Sequence, residues 1–190
     1  SNKVKFGAYY GGSSKRSMKN LDLANKRKNA WGTGLIFNHA IDSIQNVTVA
    51  AGFTREISEN GNNTSLFRNA YGLGLAYNFV HTTYGVDLER QVTKNQGDKR
   101  IKNEVRAVIR QGLNEDWNVY AMYAYKTDKH SHNTDRTRQF MVGTEYYVFN
   151  QGSLKVKPFL EWQATRTKYE NSTVDRSRDF KTVIGLRAYW

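Results

Sequence analysis

The sequence has no cysteine, a single proline and no long hydrophobic run, and these absences exclude several classes of protein. Without cysteine, the chain forms neither a disulfide framework nor a cysteine-based metal site. No stretch approaches the roughly 20 consecutive apolar residues that a membrane-spanning helix needs, and the mean hydropathy is -0.74. No helical 3.6-residue period stands out either. The chain is therefore expected to be built from strands.

The composition is instead rich in aromatic residues, glycine and positive charge. Aromatic residues make up 13% of the 190 residues, glycine occurs 15 times, and 29 Lys and Arg against 17 Asp and Glu give a net charge of +12. Such a charge predicts an anionic partner, which on composition alone is nucleic acid, lipopolysaccharide phosphate or an acidic solute. The sequence starts without an apolar signal segment, so an exported protein is expected here in its mature form.

The last stretch of the chain shows the pattern that organises the whole sequence. Phe180 and Leu186 fall on one face of an extended strand and Lys181 and Arg187 on the other, because strand side chains alternate in direction. The apolar face is about ten residues long and covers a band about 25 Å tall, which is the apolar height of an outer-membrane barrel. This face ends at Trp190, which we expect at the periplasmic interface.

About ten strands of this kind follow one another, with twelve as the alternative count, and the turns between them alternate in length. Short turns are expected near residues 39–45, 78–82, 114–116 and 150–153, and longer polar loops at the opposite end. This alternation is typical of the periplasmic and extracellular ends of a barrel. The predicted fold is all-β, a transmembrane antiparallel up-and-down β-barrel with both termini periplasmic. It forms one domain over residues 1–190 in the bacterial outer membrane.

Cations replace apolar residues at the extracellular end of the outward face. At that height they meet the phosphorylated headgroup of lipopolysaccharide, which guanidinium and ammonium groups bind through charge-assisted hydrogen bonds. The alternative is that they are solvated charges at loop edges. The predicted lipopolysaccharide rim consists of Arg55, Arg90, Arg136, Arg138, Arg166, Lys168, Arg176 and Arg178.

A second set of charges faces inward and has two interpretations. Inward Lys and Arg can line a lumen that selects anionic solutes, or they can pair with carboxylates and fill a narrow barrel. Inward glycines such as Gly72 and Gly74 leave space and favour a water-filled passage, although glycine also lets a barrel curve. The predicted lumen cations are Arg68, Lys102, Arg106, Arg110, Lys126, Lys157, Lys181 and Arg187, and their predicted acidic partners are Glu89, Glu104, Glu145 and Glu161.

Several segments resemble the oligogalacturonate-specific porin (KdgM) family of small monomeric outer-membrane channels, which includes a sialic-acid channel. The matching segments are K-F-G-A-Y-Y from Lys5, A-Y-G-L-G-L-A-Y-N-F from Ala70, V-K-P-F-L-E-W from Val156, and the terminal strand. The resemblance implies a lumen lined by facing basic residues that passes acidic oligosaccharides by diffusion. That family has twelve strands, so the count of about ten implies either an unrecognised hairpin within residues 12–45 or a narrower relative. The implied role falls on Lys102, Arg106, Arg110, Lys126, Lys157 and Arg187.

The sequence offers little that could support enzymatic chemistry. His130 and His132 fall in a predicted extracellular loop near Asp128 and Asp135, a group that suggests at most a weak metal site or a water-activating pair. No Gly-rich phosphate loop is present. We therefore expect no enzyme activity, no metal and no cofactor.

Three functions fit these features to different degrees. The first is a passive channel, expected to be a monomer in contact with outer-membrane lipid and lipopolysaccharide, with a basic lumen that favours anionic solutes such as acidic oligosaccharides. The alternative is a non-conducting structural or adhesion barrel whose basic rim and loops bind lipopolysaccharide or other polyanions. A soluble protein that binds nucleic acid is disfavoured, because the outward apolar rows exceed what soluble surfaces expose. No nucleic-acid partner is therefore expected.

Overall fold

A computed structural model gives the fold and describes residues 2–19, 22–60, 64–95, 97–151, 154–170 and 176–189. Within these residues the chain is almost entirely extended. The strands are β1 (Asn2–Lys19), β2 (Asp22–Ala40), β3 (Gln45–Asn60), β4 (Thr64–Phe79), β5 (Thr82–Asn95), β6 (Asp98–Gly112), β7 (Trp117–His130), β8 (Asn133–Tyr146), β9 (Phe149–Gln151), β10 (Leu154–Lys168) and β11 (Arg176–Tyr189).

Ten long strands form one antiparallel sheet in which each strand pairs with the next. The short β9 pairs only with the start of β10, so the ladder passes directly from β8 to β10. This meander confirms the predicted all-β, up-and-down barrel fold and the count of about ten strands. β1 and β2 form one continuous hairpin, so the described residues contain no additional hairpin between positions 12 and 45. β1 and β11 stand at the two ends of the ladder, and no described residues pair these two strands.

Large apolar side chains cover the outer face of the sheet. In-register pairing carries this face from strand to strand, as in the row Leu75, Val86, Ala107, Tyr123 and Phe140. Leu75 is 52% exposed and Val86 is 45% exposed, although both lie in the middle of long strands. Contiguous apolar rows of this extent are unfavourable in water and stable against lipid. The outer face is therefore a lipid-facing belt.

Aromatic contacts flank this belt at both ends. Near the long loops, the rings of Trp31 and Phe53 pack edge to face with centroids 5.2 Å apart. Near the short turns, the rings of Tyr77 and Tyr84 stack with centroids 6.4 Å apart. Aromatic girdles at the two interfaces are typical of outer-membrane barrels. Trp190, which we expected at the periplasmic interface, lies outside the described residues.

Short turns close the end of the sheet at which β1 begins and β11 ends. The Oδ1 atom of Asp42 accepts the backbone N–H groups of Ile44 and Gln45, and Asn114 holds its own turn in the same way. Backbone hydrogen bonds also join successive turns around this end. The turns predicted near residues 39–45, 78–82 and 114–116 are present. The fourth predicted turn, at residues 150–153, lies partly outside the described residues, and its first two residues belong to β9, which pairs with β10.

The inner face of the sheet is polar. Ala124 is the only fully buried apolar side chain in the described part of the chain, whereas Glu145, Lys157 and Glu161 are buried charged residues. Apolar residues outside and charges inside are the reverse of a soluble fold and typical of a transmembrane barrel. No helix among the described residues is long and apolar enough to cross a membrane.

Candidate functional site: the charged lumen

One side of the lumen is lined by glycine. Gly7, Gly34, Gly52 and Gly72 lie side by side in register on β1 to β4 and form what we call the glycine row. A Cβ atom added at Gly7 or Gly72 would have no heavy atom within 4 Å. The row borders a cavity of about 600 Å³ that reaches as far as Arg106 on β6. Space is therefore open along β1 to β4.

The opposite side of the lumen contains a buried ion cluster around Glu145 on β8. The carboxylate of Glu145 lies 2.7 Å from Arg110 Nη2, 3.0 Å from Lys157 Nζ and 3.0 Å from Arg187 Nη1. Arg187 Nη2 also lies 3.0 Å from the carboxylate of Glu161. Burying a carboxylate is costly unless it is paired. The three cations therefore hold Glu145 in place and connect β6, β8, β10 and β11 near the short turns.

Two aromatic rings fill space beside this cluster. Tyr120 lies opposite Gly143, Phe159 lies opposite Gly185, and a Cβ atom added at either glycine would overlap the facing ring. The hydroxyl of Tyr120 donates a hydrogen bond of 2.7 Å to Glu161 Oε1. The expectation that inward glycines leave room for water therefore holds along the glycine row. It is wrong at these two positions, because an aromatic side chain on the neighbouring strand occupies the space.

The cations of the Glu145 cluster also contact aromatic faces. Such contacts restrict the orientation of a guanidinium or ammonium group through the negative face of the ring. The distances from cation to ring centroid are 4.1 Å from Arg187 Cζ to Phe159, 5.7 Å from Arg110 Cζ to Tyr120 and 5.0 Å from Lys157 Nζ to Tyr147.

A second ion group lies about halfway along the lumen. The carboxylate of Glu104 on β6 is 3.0 Å from Arg106 Nη2 and 3.4 Å from Lys126 Nζ. Glu104 and Lys126 occupy directly opposed positions on β6 and β7. The strand register alone therefore brings this pair together.

A third ion group lies on the extracellular side of the apolar belt. Arg100 Nε donates a hydrogen bond of 2.7 Å to Asp128 Oδ1, and Lys102 Nζ lies 3.7 Å from Asp128 Oδ2. These residues lie beyond the row formed by Val105 and Tyr125, toward the long loops. The hydrogen bond from Arg100 lowers the pKa of Asp128 below its ordinary value and raises the pKa of Arg100. Asp128 therefore stays charged to a lower pH than an aspartate with the ordinary pKa.

In each of these ion pairs the carboxylate is more buried than the cation. The side chain of Glu145 is 0% exposed and that of Arg110 is 43% exposed. Likewise, Glu104 is 20% exposed and Lys126 is 39% exposed. Lys157 differs from the other cations of these pairs because it is itself buried, with 6% of its side chain exposed. At these ion pairs a solute in the lumen would therefore meet mainly ammonium and guanidinium groups, because their partner carboxylates lie beneath them, whereas the inward carboxylates of Asp87 and Glu89 are themselves exposed.

The predicted lumen residues all lie on the inner face, but their pairing varies. Arg68 is 3.9 Å from Glu56, which the sequence reasoning had not considered as its partner. Within the described residues, no ion pair includes Lys181. Glu89 accepts a hydrogen bond of 3.2 Å from Gln91 Nε2 and forms no ion pair with any cation of the described ranges. Glu145 and Glu161 in the buried cluster and Glu104 beside Arg106 belong to the predicted acidic set.

Sequence reasoning missed Arg100, Tyr120 and Phe159 as parts of the lumen structure. Each faces inward by the same alternation of side-chain directions that identified Lys102 and Arg110, so this alternation could also have identified these three residues. The proposed His130 and Asp128 group is not supported as a metal site, because no group of three or more potential ligands is gathered in the described part of the chain.

The predicted rim cations lie on the outer face in two arrangements. Arg55 on β3 and Arg90 on β5 are separate from the others, and Arg55 Cζ lies 5.8 Å from the ring centroid of Phe67. The other six occupy adjacent positions on the last three long strands: Arg136, Arg138, Arg166, Lys168, Arg176 and Arg178.

Comparison with known proteins bears on the fold. No protein-family model and no curated protein sequence matches this chain. The structure is similar to that of OmpT, an outer membrane protein of Vibrio cholerae in its trimer form, with a TM-score of 0.55 and 12% sequence identity. The match covers 95% of this chain and 64% of that chain, so this chain spans less than two thirds of its length. The chain thus has the fold of an outer-membrane β-barrel protein, in agreement with the predicted location in the bacterial outer membrane.

Proposed function

We propose that the protein is a passive outer-membrane channel whose lumen favours anionic solutes. The observation that carries the anion preference is the unequal exposure within the lumen ion pairs. The side chains of Arg110, Lys126 and Arg187 are each more than a third exposed, while their partner carboxylates are 0% exposed at Glu145 and 20% exposed at Glu104. Positive side chains presented to a water-filled lumen attract anions and repel cations.

A route for solutes is available beside the glycine row. The cavity of about 600 Å³ lies between these glycines and a wall that carries Asp87, Glu89, Glu104 and Arg106, so a solute there touches backbone on one side and charged side chains of both signs on the other. Cations occur at successive heights, from Arg187 near the short turns through Lys126 to Lys102 near the long loops. Several weak sites in succession allow a solute to enter and also to leave.

Acidic oligosaccharides are the proposed substrate class. Their carboxylates recur along an extended chain, and the lumen cations likewise recur along the strands. The resemblance to oligogalacturonate-specific porins supports the same class. The proposed contacts are Lys102, Arg106, Arg110, Lys126 and Arg187, whereas the buried Lys157 is proposed to position Glu145. The channel is proposed to act as a monomer.

Planar-bilayer recording tests this function directly. We expect the refolded protein to conduct, and its reversal potential in a KCl gradient to indicate chloride preference. The double substitution Lys102→Gln and Lys126→Gln should at least halve the chloride-to-potassium permeability ratio. The matched control, Lys94→Gln and Lys129→Gln, removes two exposed lysines from the outer face and should leave the ratio unchanged.

The second candidate is a non-conducting structural barrel. It is favoured by the aromatic rings and buried cluster that occupy the side of the lumen formed by β7 to β11. It predicts that a correctly folded protein stays silent in the bilayer. A silent protein, or one that prefers potassium, would overturn the proposed anion channel.

A further inference from the structure

Two rows of three cations lie next to each other on the outer face of β8, β10 and β11. Strand register places Arg138, Arg166 and Arg178 directly opposite one another. Two positions further toward the long loops on each strand, the register also places Arg136, Lys168 and Arg176 opposite one another. We call the whole set the cation grid: Arg136, Arg138, Arg166, Lys168, Arg176 and Arg178.

The described residues do little to neutralise the cation grid. Like charges placed directly opposite on neighbouring strands destabilise a sheet. All six side chains are exposed, and none of the ion pairs formed by the described residues includes any of them. Asp179 on β11 faces inward, opposite Thr165. The carboxylate of Glu170 accepts the backbone N–H of Thr134.

The height of the cation grid matches that of lipid headgroups. Phe140 and Phe180 occupy the next outward positions on β8 and β11, on the belt side of the grid. Trp162 lies between them, with its ring centroid 6.0 Å from Phe180 and 6.5 Å from Phe140. An aromatic girdle marks the boundary between acyl chains and headgroups. The grid begins one outward position beyond this girdle.

The size of the cation grid exceeds that of a single small anion. Its Cα positions cover about 10 Å across three strands and about 7 Å along each strand, from the ordinary strand spacing and rise. One phosphate group contacts two or three such side chains, so six cations can bind two phosphates. Arg55 and Arg90, which lie apart from each other, form no comparable group.

We propose that the cation grid binds the phosphorylated headgroup of an outer-leaflet lipid, with two phosphate groups spread over the six cations. Lipopolysaccharide is the abundant lipid of this chemistry in the outer leaflet. The proposed binding site is smaller than the predicted rim. It contains six of the eight predicted cations, all on the outer face of three strands. The binding is independent of conduction, because the grid and the lumen lie on opposite faces of the sheet.

Lipid binding to vesicles of defined composition tests the proposal. The purified protein is titrated with vesicles that contain either a lipid A with two phosphates or the same lipid after enzymatic removal of its phosphates. We expect binding to be at least tenfold tighter with the phosphates present. The triple substitution of Arg138, Arg166 and Arg178 to Gln should remove this difference. The matched triple substitution of Arg55, Arg90 and Lys129 to Gln should change it less than twofold.

A thermal measurement keeps the proposal testable if the triple variant refolds in low yield. Substitution of Arg166 alone to Gln removes the centre of one row, so it should raise the midpoint of unfolding in lipid-free detergent and reduce the further rise on adding lipid A. Equal loss of binding in both triple variants would overturn the proposal in favour of a general charge effect. Competition by low-millimolar inorganic phosphate would overturn it in favour of a small-anion site.

Discussion

Glu145 shows how one buried residue can hold several strands of the lumen wall. Its carboxylate contacts Arg110, Lys157 and Arg187, which come from three other strands. The contact between Glu145 and Arg187 joins residues 42 positions apart. Removing a buried carboxylate takes a compensating charge from its partner cations. Arg187 would keep its contact with Glu161, whereas Lys157, which is itself buried, would lose a charged partner.

Substitution of Glu145 by Gln should therefore be strongly destabilising. We expect the free energy of unfolding to fall by about 3 kcal/mol, because one member of a buried ion cluster is lost. The matched substitution Glu89→Gln removes an exposed carboxylate that forms no ion pair in the part of the chain that the structure describes, and should change stability by no more than about 0.5 kcal/mol. Urea unfolding in lipid vesicles measures both. Equal effects of the two substitutions would contradict the structural role of Glu145.

At the scale of single strands, glycine has two different uses on the inner face. Gly72 on β4 faces open space, so a side chain there would project into the cavity. Gly185 on β11 lies beneath the ring of Phe159, so it provides room for an aromatic residue of the adjacent strand. Gly72 and Gly185 both face inward by the same alternation of side-chain directions along their strands. The neighbouring strand determines which use applies.

Substitution of Gly72 by Phe should narrow the channel. The added ring would enter the cavity beside the glycine row, so we expect single-channel conductance to fall by at least a third with little change in stability. The matched control Leu73→Phe places the same ring at the next residue, on the lipid face, and should leave conductance unaltered. A normal conductance in Gly72→Phe would mean that ions do not pass beside the glycine row.

At the scale of the whole molecule, the two terminal strands of the ladder need partners. Phe6 on β1 is 73% exposed and Ile184 on β11 is 79% exposed, compared with 52% for Leu75 in the middle of the sheet. Backbone N–H and C=O groups cannot remain unpaired in a bilayer. The simplest way to satisfy both edges is for β1 and β11 to pair with each other and close the barrel.

Cysteine cross-linking tests this closure in a chain that has no cysteine of its own. We expect Ala8→Cys, combined in turn with Thr182→Cys, Ile184→Cys or Leu186→Cys, to give an intramolecular disulfide for at least one of these pairs. The control pair Ala8→Cys and Leu75→Cys should give none. Non-reducing gels and mass spectrometry distinguish the products. Disulfides found only between two molecules would show that the edges pair between copies.

Much of the fold was predictable because strand alternation is a local property. The side-chain direction at Lys102 or Leu186 follows from the extended backbone alone, so the lipid and lumen faces, the turn pattern and the cationic rim could be read directly. The carboxylate partners of Arg187 could not be predicted from this alternation. Its carboxylates, Glu145 and Glu161, lie on β8 and β10, and only strand register and sheet curvature bring them together.

The sequence by itself therefore determined the class of the protein and the face on which each charge lies, because these depend on a period of two along one strand, whereas it left the strand count between ten and twelve. Only the tertiary structure decided which inward glycines stay open, which carboxylates lie beneath their cations, and that six rim cations form a single group. Each of these depends on contacts between strands that are distant in sequence.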